Sequence, residues 1–120
     1  MKDNNYQGLL IVKSTVEPGT CEEFAVKYNL KILHNPEFLT ARTAYEDFHN
    51  QKHVVIGKTK LVSDEEHKLV GDFYRNFYAN AEISLCSAKE SESMKIYCNC
   101  FYAVKVQFFN ELYLDCQDGG

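Results

Sequence analysis

No apolar run in this 120-residue chain approaches the thickness of a bilayer. Leu9-Leu10-Ile11-Val12 is four residues long, against the roughly 20 a spanning helix needs. The apolar C-terminal stretch is interrupted by Lys95, Asn99, Lys105 and Asn110. Nothing ahead of Leu9 reads as a secretory leader, so membrane insertion and export are not expected. Neither Cys-x-x-Cys nor a paired-histidine spacing occurs, and no metal site is expected. Cys98 and Cys100 are two apart, which on a helix points them to opposite sides. Gly-x-Gly-x-x-Gly is missing too: the glycines stand at 8, 19, 57, 71, 119 and 120, so the loop that grips dinucleotide phosphates is absent. The 13 basic residues are scattered among 17 acidic ones, giving a net charge of −4 and no footprint for nucleic acid.

What is present is ordinary globular composition, 45% hydrophobic and 25% charged, enough for one domain with a core. Five cysteines without an export signal point to free thiols in a reducing cytoplasm. Leu9 to Val12 reads as a buried strand, followed by Lys13-Ser14-Thr15 and a Pro18-Gly19 turn. Thr20 with Glu23 has the spacing of a capping box, opening a helix that carries Phe24, Ala25 and Tyr28 and stops near Asn29. Strands are expected at 31–34, at 53–56 (ended by Gly57) and at 81–85. Ser63 with Glu66 opens a second helix whose inward stripe reads as Leu69, Val70, Phe73 and Phe77. Ser87 with Glu90 launches a last helix running towards Cys116. Strands alternating with helices imply an α/β fold with a mainly parallel sheet.

That last helix is apolar nearly all round, with Met94, Tyr97, Phe101, Val104, Phe108 and Leu112 on one side. A helix of this kind expects partners on more than one face, and self-association through 88–116 follows. Lys95 and Asn99 interrupt it one turn apart, so they share a face. Burying lysine is costly and asparagine is a poor interior helix residue. Such a pair either binds something polar or sits at a wet edge, with Lys95 snorkelling to solvent and Asn99 capping a kink. Ser14 and Thr15 lie just past a strand's carboxyl end, where open α/β sheets bind ligands; their hydroxyls could equally cap a turn. Glu37, after Asn35-Pro36, taken singly is a solvated loop acid.

In order, Val12-Lys13-Ser14-Thr15-Val16-x-Pro18-Gly19-Thr20, Asn35-Pro36-Glu37-Phe38-Leu39, Glu46-Asp47-Phe48-His49-Asn50 before Val54-Val55-Ile56-Gly57, and Lys95-x-x-x-Asn99 with Ala103-x-Lys105-Val106 and Asn110-Glu111 form four spaced motifs. From about Gly8 to Cys116 the chain resembles the nucleotide-sugar 6-dehydrogenases, their UDP-glucose branch most of all. The resemblance implies the second half of a Rossmann-like NAD-binding domain at 1–87 and a central connecting helix at 88–120, used for dimerisation. It implies oxidation of UDP-glucose to UDP-glucuronate in two NAD-dependent steps through a cysteine thioester. Ser14, Thr15 and Val16 would contact the cofactor, Thr15 holding a catalytic water beside the nicotinamide. Glu37 would assist proton transfer, and Glu37, Phe38 and Leu39 would line the sugar site. Lys95 and Asn99 would stabilise the oxyanion, a cation and an amide aimed at developing charge.

The departures are specific. None of the five cysteines matches the family's nucleophile, which lies beyond the long helix. An acid expected four residues after Glu37 is Ala41, and an arginine expected before Val54-Val55-Ile56-Gly57 is His53. The 120-residue polypeptide alone is therefore expected to be inactive. The alternative expectation is a non-catalytic remnant that pairs through its last helix.

Overall fold

The computed structural model of the chain describes residues 7–38 and 51–119. Leu39, Ala41 and the Glu46–Asn50 motif fall outside the described residues. Four strands and three helices follow in the order β1 (Leu9–Val12), α1 (Thr20–Tyr28), β2 (Lys31–His34), β3 (His53–Lys58), α2 (Asp64–Phe77), β4 (Glu82–Ser87) and α3 (Ala88–Gly119). The sheet order is β1-β2-β3-β4. Both outer pairings are parallel, Leu10 opposite Ile32 and Val54 opposite Ile83. The central pairing is antiparallel, with Leu33 opposite Lys58 and His34 opposite Gly57. The sheet is thus mainly parallel, with one reversal at its middle.

Residues alternate across the sheet and split the core in two. Ile32 packs with Cys21, Ala25, Leu30 and Ala88 beneath α1 and the start of α3. Leu33, Val54, Ile56 and Val62 form the other cluster, covered by Val70, Tyr74 and Tyr78 of the α2 region.

The capping box at Thr20 does not form. The α1 N-cap is Gly19, held in the left-handed region at φ 96°, and no side chain of the helix caps it. The Thr20 hydroxyl instead donates back to Glu17 O at 2.6 Å. The α1 cap comes from α3, where the buried Glu92 carboxylate accepts hydrogen bonds from Gly19 N and, at 2.9 Å, from Cys21 N. Both other capping boxes are present, Ser63 with Glu66 on α2 and Ser87 with Glu90 on α3.

β3 does not stop at Gly57 but continues through it to Lys58. Glycine is there because α3 starts against it: a Cβ at residue 57 would lie 2.7 Å from Ala88 Cα and from Ser91 Cβ. The inward stripe of α2 also differs from the apolar reading. Leu69, Phe73 and Phe77 are exposed, while His67 and Gly71 are buried and Val70 is half-buried. Hydrophobicity pointed to the wrong face because the inward residues make polar contacts: His67 Nε2 donates to Ile56 O at 2.7 Å, and Tyr74 reaches the sheet's end.

Only the first turns of α3 are buried, through Ala88, Ser91 and Glu92. From Tyr97 to Leu114 its large apolar side chains are exposed. At 1.5 Å per residue its 32 residues extend roughly 48 Å. Among the described residues, no helix is long and apolar enough to cross a membrane.

Candidate active site

The polar residues singled out in the sequence gather where β1 and β2 end. Val12 closes β1, and the exposed Ser14 and Thr15 follow, with Val16 half-buried against the α1-side core. Beyond β2, Asn35 N donates to Val12 O at 2.9 Å, keeping the two chain ends side by side. Glu37 and Phe38 come next, and α3 passes close enough for Lys95 to reach them.

Glu37 is held at both ends of the residue. Its Oε1 lies 3.3 Å from Lys13 Nζ. Its backbone carbonyl accepts a 2.6 Å hydrogen bond from Lys95 Nζ. The Lys95 ammonium also stands 4.9 Å from the centroid of the Phe38 ring, within cation–π range. Lys95 therefore faces inward at this site rather than snorkelling to solvent. Asn99, one turn on, is exposed, and its side chain makes no hydrogen bond to another described residue. The structure brings Glu37, Phe38 and Lys95 together; it leaves Asn99 and the hydroxyls of Ser14 and Thr15 open.

A buried polar layer supports this cluster, and the sequence reading had assigned it no part. The Asn35 side chain accepts from Lys13 Nζ at 2.7 Å and from Tyr74 OH at 2.9 Å, and donates to Val55 O at 2.7 Å. One amide thus ties β1, β2, β3 and α2 into the same corner. Burial first, then the nearby Tyr78 and Glu37, push the Tyr74 phenol above its usual range, so it remains a donor at neutral pH. His34, fully buried, bridges the Ser14 loop to α3: Nε2 is 2.9 Å from Ser14 O and Nδ1 is 2.8 Å from Ser91 Oγ. A carbonyl only accepts, so Nε2 carries a proton and, in the neutral ring, Nδ1 accepts from the Ser91 hydroxyl. The signal for Glu92 was available: an acid three residues before Lys95, on the buried side of an apolar helix, needs donors. Nothing in the sequence identified which helix end supplies them.

A groove of about 1160 Å³ between α1, the end of β3 and the start of α3 lies elsewhere and contains none of these residues. Of the residues lining it, Lys58 pairs with Asp64, and the Lys60 backbone N–H donates to Glu22.

The model of the UDP-glucose/GDP-mannose dehydrogenase family, NAD-binding domain, matches residues 2–78. The chain belongs to that family. It is 32% identical over 115 residues to the UDP-glucose 6-dehydrogenase of Campylobacter jejuni, covering 93% of this chain and 28% of that enzyme. Among solved structures it resembles a UDP-glucose dehydrogenase from the hyperthermophilic archaeon Pyrobaculum islandicum. That match has a TM-score of 0.75 and 31% identity, and covers 87% of this chain and 25% of the other. It also resembles the GDP-mannose dehydrogenase of Pseudomonas aeruginosa in a ternary complex, at TM-score 0.71 and 27% identity, covering 92% and 27%. The chain spans about a quarter of the length of these relatives.

NAD is the cofactor that membership of this dehydrogenase family implies. The residues present fit its reacting end: an open loop with two exposed hydroxyls, one residue beyond a lysine that contacts Glu37. They do not supply a phosphate grip. Helix N-termini often bind phosphate, but that of α1 is already occupied by the Glu92 carboxylate.

Proposed function

We propose that this chain forms one wall of the reaction site of an NAD-dependent nucleotide-sugar 6-dehydrogenase, of the type that oxidises UDP-glucose to UDP-glucuronate. The observation that carries the reading is Lys95 drawn in from an apolar helix onto the Glu37 backbone, with the Glu37 carboxylate on the same residue. A lysine with no such task would extend to water.

NAD, when bound, accepts the hydride; the other roles fall to the chain. Ser14, Thr15 and Val16 would border the nicotinamide, and the Thr15 hydroxyl would hold a water. The Glu37 carboxylate would take a proton from that water or return it. The backbone of Glu37, Phe38 and Leu39 would line the sugar. One Lys95 proton is engaged by Glu37 O, which leaves two for a substrate oxygen as it gains negative charge. Asn99, exposed on the same helix face, would add an amide donor. Removing one such donor typically costs about a hundred- to a thousand-fold in rate.

This polypeptide alone carries neither the phosphate loop nor a cysteine matching the family's nucleophile. Mixed with NAD and UDP-glucose it is expected to produce no NADH by absorbance; steady NADH formation would overturn the assignment of roles.

A second reading, a non-catalytic remnant that dimerises, is favoured by α3. Tyr97 is 72% exposed and Phe101 63%. Each such side chain buried in an interface would contribute roughly 1.5–3 kcal/mol. Sedimentation of the chain separates the possibilities when combined with Lys95→Ala. A scaffold assembles through α3 and has no other use for Lys95; a dehydrogenase segment loses rate in the complete enzyme.

A further inference from the structure

We propose that Glu92 is a positioning residue: by capping α1 it fixes the rotation of α3 about its own axis, and so holds the Lys95 ammonium on Glu37. The inference rests on the role proposed for Lys95, but its test reads the position of that side chain and not turnover.

Three contacts hold the start of α3, and two of them end on the segment that carries Ser14 to Val16. Ala88 and Ser91 lie against Gly57, an approach that any side chain at 57 would block. Ser91, fully buried, bonds the His34 ring, whose other nitrogen holds Ser14 O. Glu92, also fully buried, accepts from Gly19 N and Cys21 N at the end of the same segment. The first contact fixes how near α3 comes to the sheet. It does not fix rotation about the helix axis, which a steric contact on one side leaves soft. The Glu92 carboxylate fixes rotation, because its two oxygens must meet two separate N–H groups on another helix. Lys95 follows three residues later, on nearly the same face. A small rotation of α3 would swing its long side chain off a carbonyl it meets at 2.6 Å.

A buried carboxylate is costly unless its partners are fixed, and the α1 N-terminus supplies both donors and a favourable dipole. The same carboxylate acts on Cys21: burial first, then hydrogen bonding to Glu92, push that thiol up to about 12. Cys21 thus serves as packing, not as a nucleophile.

The test is the rate at which each lysine of this chain is acylated by a small amine-reactive ester, read by peptide mass spectrometry, in wild type, Glu92→Gln, Glu92→Asp and Glu90→Ala. Glu92→Gln keeps the shape but turns an N–H donor towards one of the α1 amides. It is expected to raise Lys95 acylation roughly tenfold, the scale of one lost hydrogen bond, with Lys89 unchanged. Glu90→Ala removes the α3 capping box without touching α1, and so reports simple loosening of the helix; it is expected to leave Lys95 as in wild type. A folded Glu92→Gln protein, by circular dichroism, with unchanged Lys95 acylation overturns the proposal. An equal rise in Glu90→Ala overturns it as well. Should Glu92→Gln not fold, Glu92→Asp decides: it keeps the charge, but its shorter side chain cannot meet both Gly19 N and Cys21 N; about a threefold rise at Lys95 supports the positioning role and no rise overturns it.

Discussion

The Lys13 ammonium stands 3.3 Å from the Glu37 carboxylate across the ends of two neighbouring strands. Both side chains are about a third exposed, at 36% and 35%, so solvent screens the pair and its own contribution is at most about 1 kcal/mol. Lys13 also donates to Asn35, but Tyr74 keeps that buried amide satisfied. Lys13→Met is therefore expected to cost about 1 kcal/mol in urea unfolding. A loss above about 3 kcal/mol would show that Asn35 depends on Lys13 alone.

Gly57→Ala is expected to cost about 1–3 kcal/mol, because the added methyl would sit 2.7 Å from backbone atoms of Ser87 and Ala88 that cannot swing away. Thermal unfolding checks this. A neutral substitution would mean that α3 does not rest on β3 as described.

The α2 surface gives a contrast between neighbouring positions. Leu69→Lys and Phe73→Lys are each expected to stay within about 0.5 kcal/mol of wild type, since both side chains are exposed. His67→Ala is expected to cost about 1–3 kcal/mol, because Ile56 O loses its ring donor in the core. Chemical denaturation of the three variants tests the helix orientation; equal losses would contradict it.

Alkaline pH should weaken the fold through Cys21. Its thiol is raised from 9.0 to about 12, so the folded state retains a proton that the unfolded state releases. The resulting stability is fully present below pH 9 and is lost as pH rises towards 12, on the order of 4 kcal/mol at the upper end. The Tyr74 phenol, also raised, adds to the decline at the top of this window. Cys21→Ala should flatten the fall in melting temperature above pH 9; an unchanged slope would rule the thiol out as its source.

Much of the fold was legible because local signals agreed. β2 was placed where it occurs, and two of three capping boxes formed, since serine and glutamate three apart can satisfy each other without outside help. The third, at Thr20, failed for a reason no local window contains: a carboxylate 72 residues later in the chain occupies the helix end. Gly57 was read as a stop signal and is instead a contact, which depends on where α3 lies. The α2 face was misassigned because apolarity was taken as the guide, whereas His67 and Tyr74 face inward to serve carbonyl and amide groups. At the site, Lys95 stands out by its type and its spacing from Asn99, whereas Glu37 is singled out only by the family resemblance. The layer beneath them, Lys13, His34, Asn35 and Glu92, joins residues distant in sequence and becomes visible only once β1, β2 and α3 are in place.

The measurement that bears most directly on the central claim uses a chimera. In it, residues 8–116 of this chain replace the aligned segment of the Campylobacter jejuni UDP-glucose 6-dehydrogenase, and NADH formation from UDP-glucose is followed with and without Lys95→Ala. The account predicts that the chimera turns over, and that Lys95→Ala lowers its rate by about a hundred- to a thousand-fold while the protein remains folded. A folded chimera that produces no NADH, or one indifferent to Lys95→Ala, would contradict it.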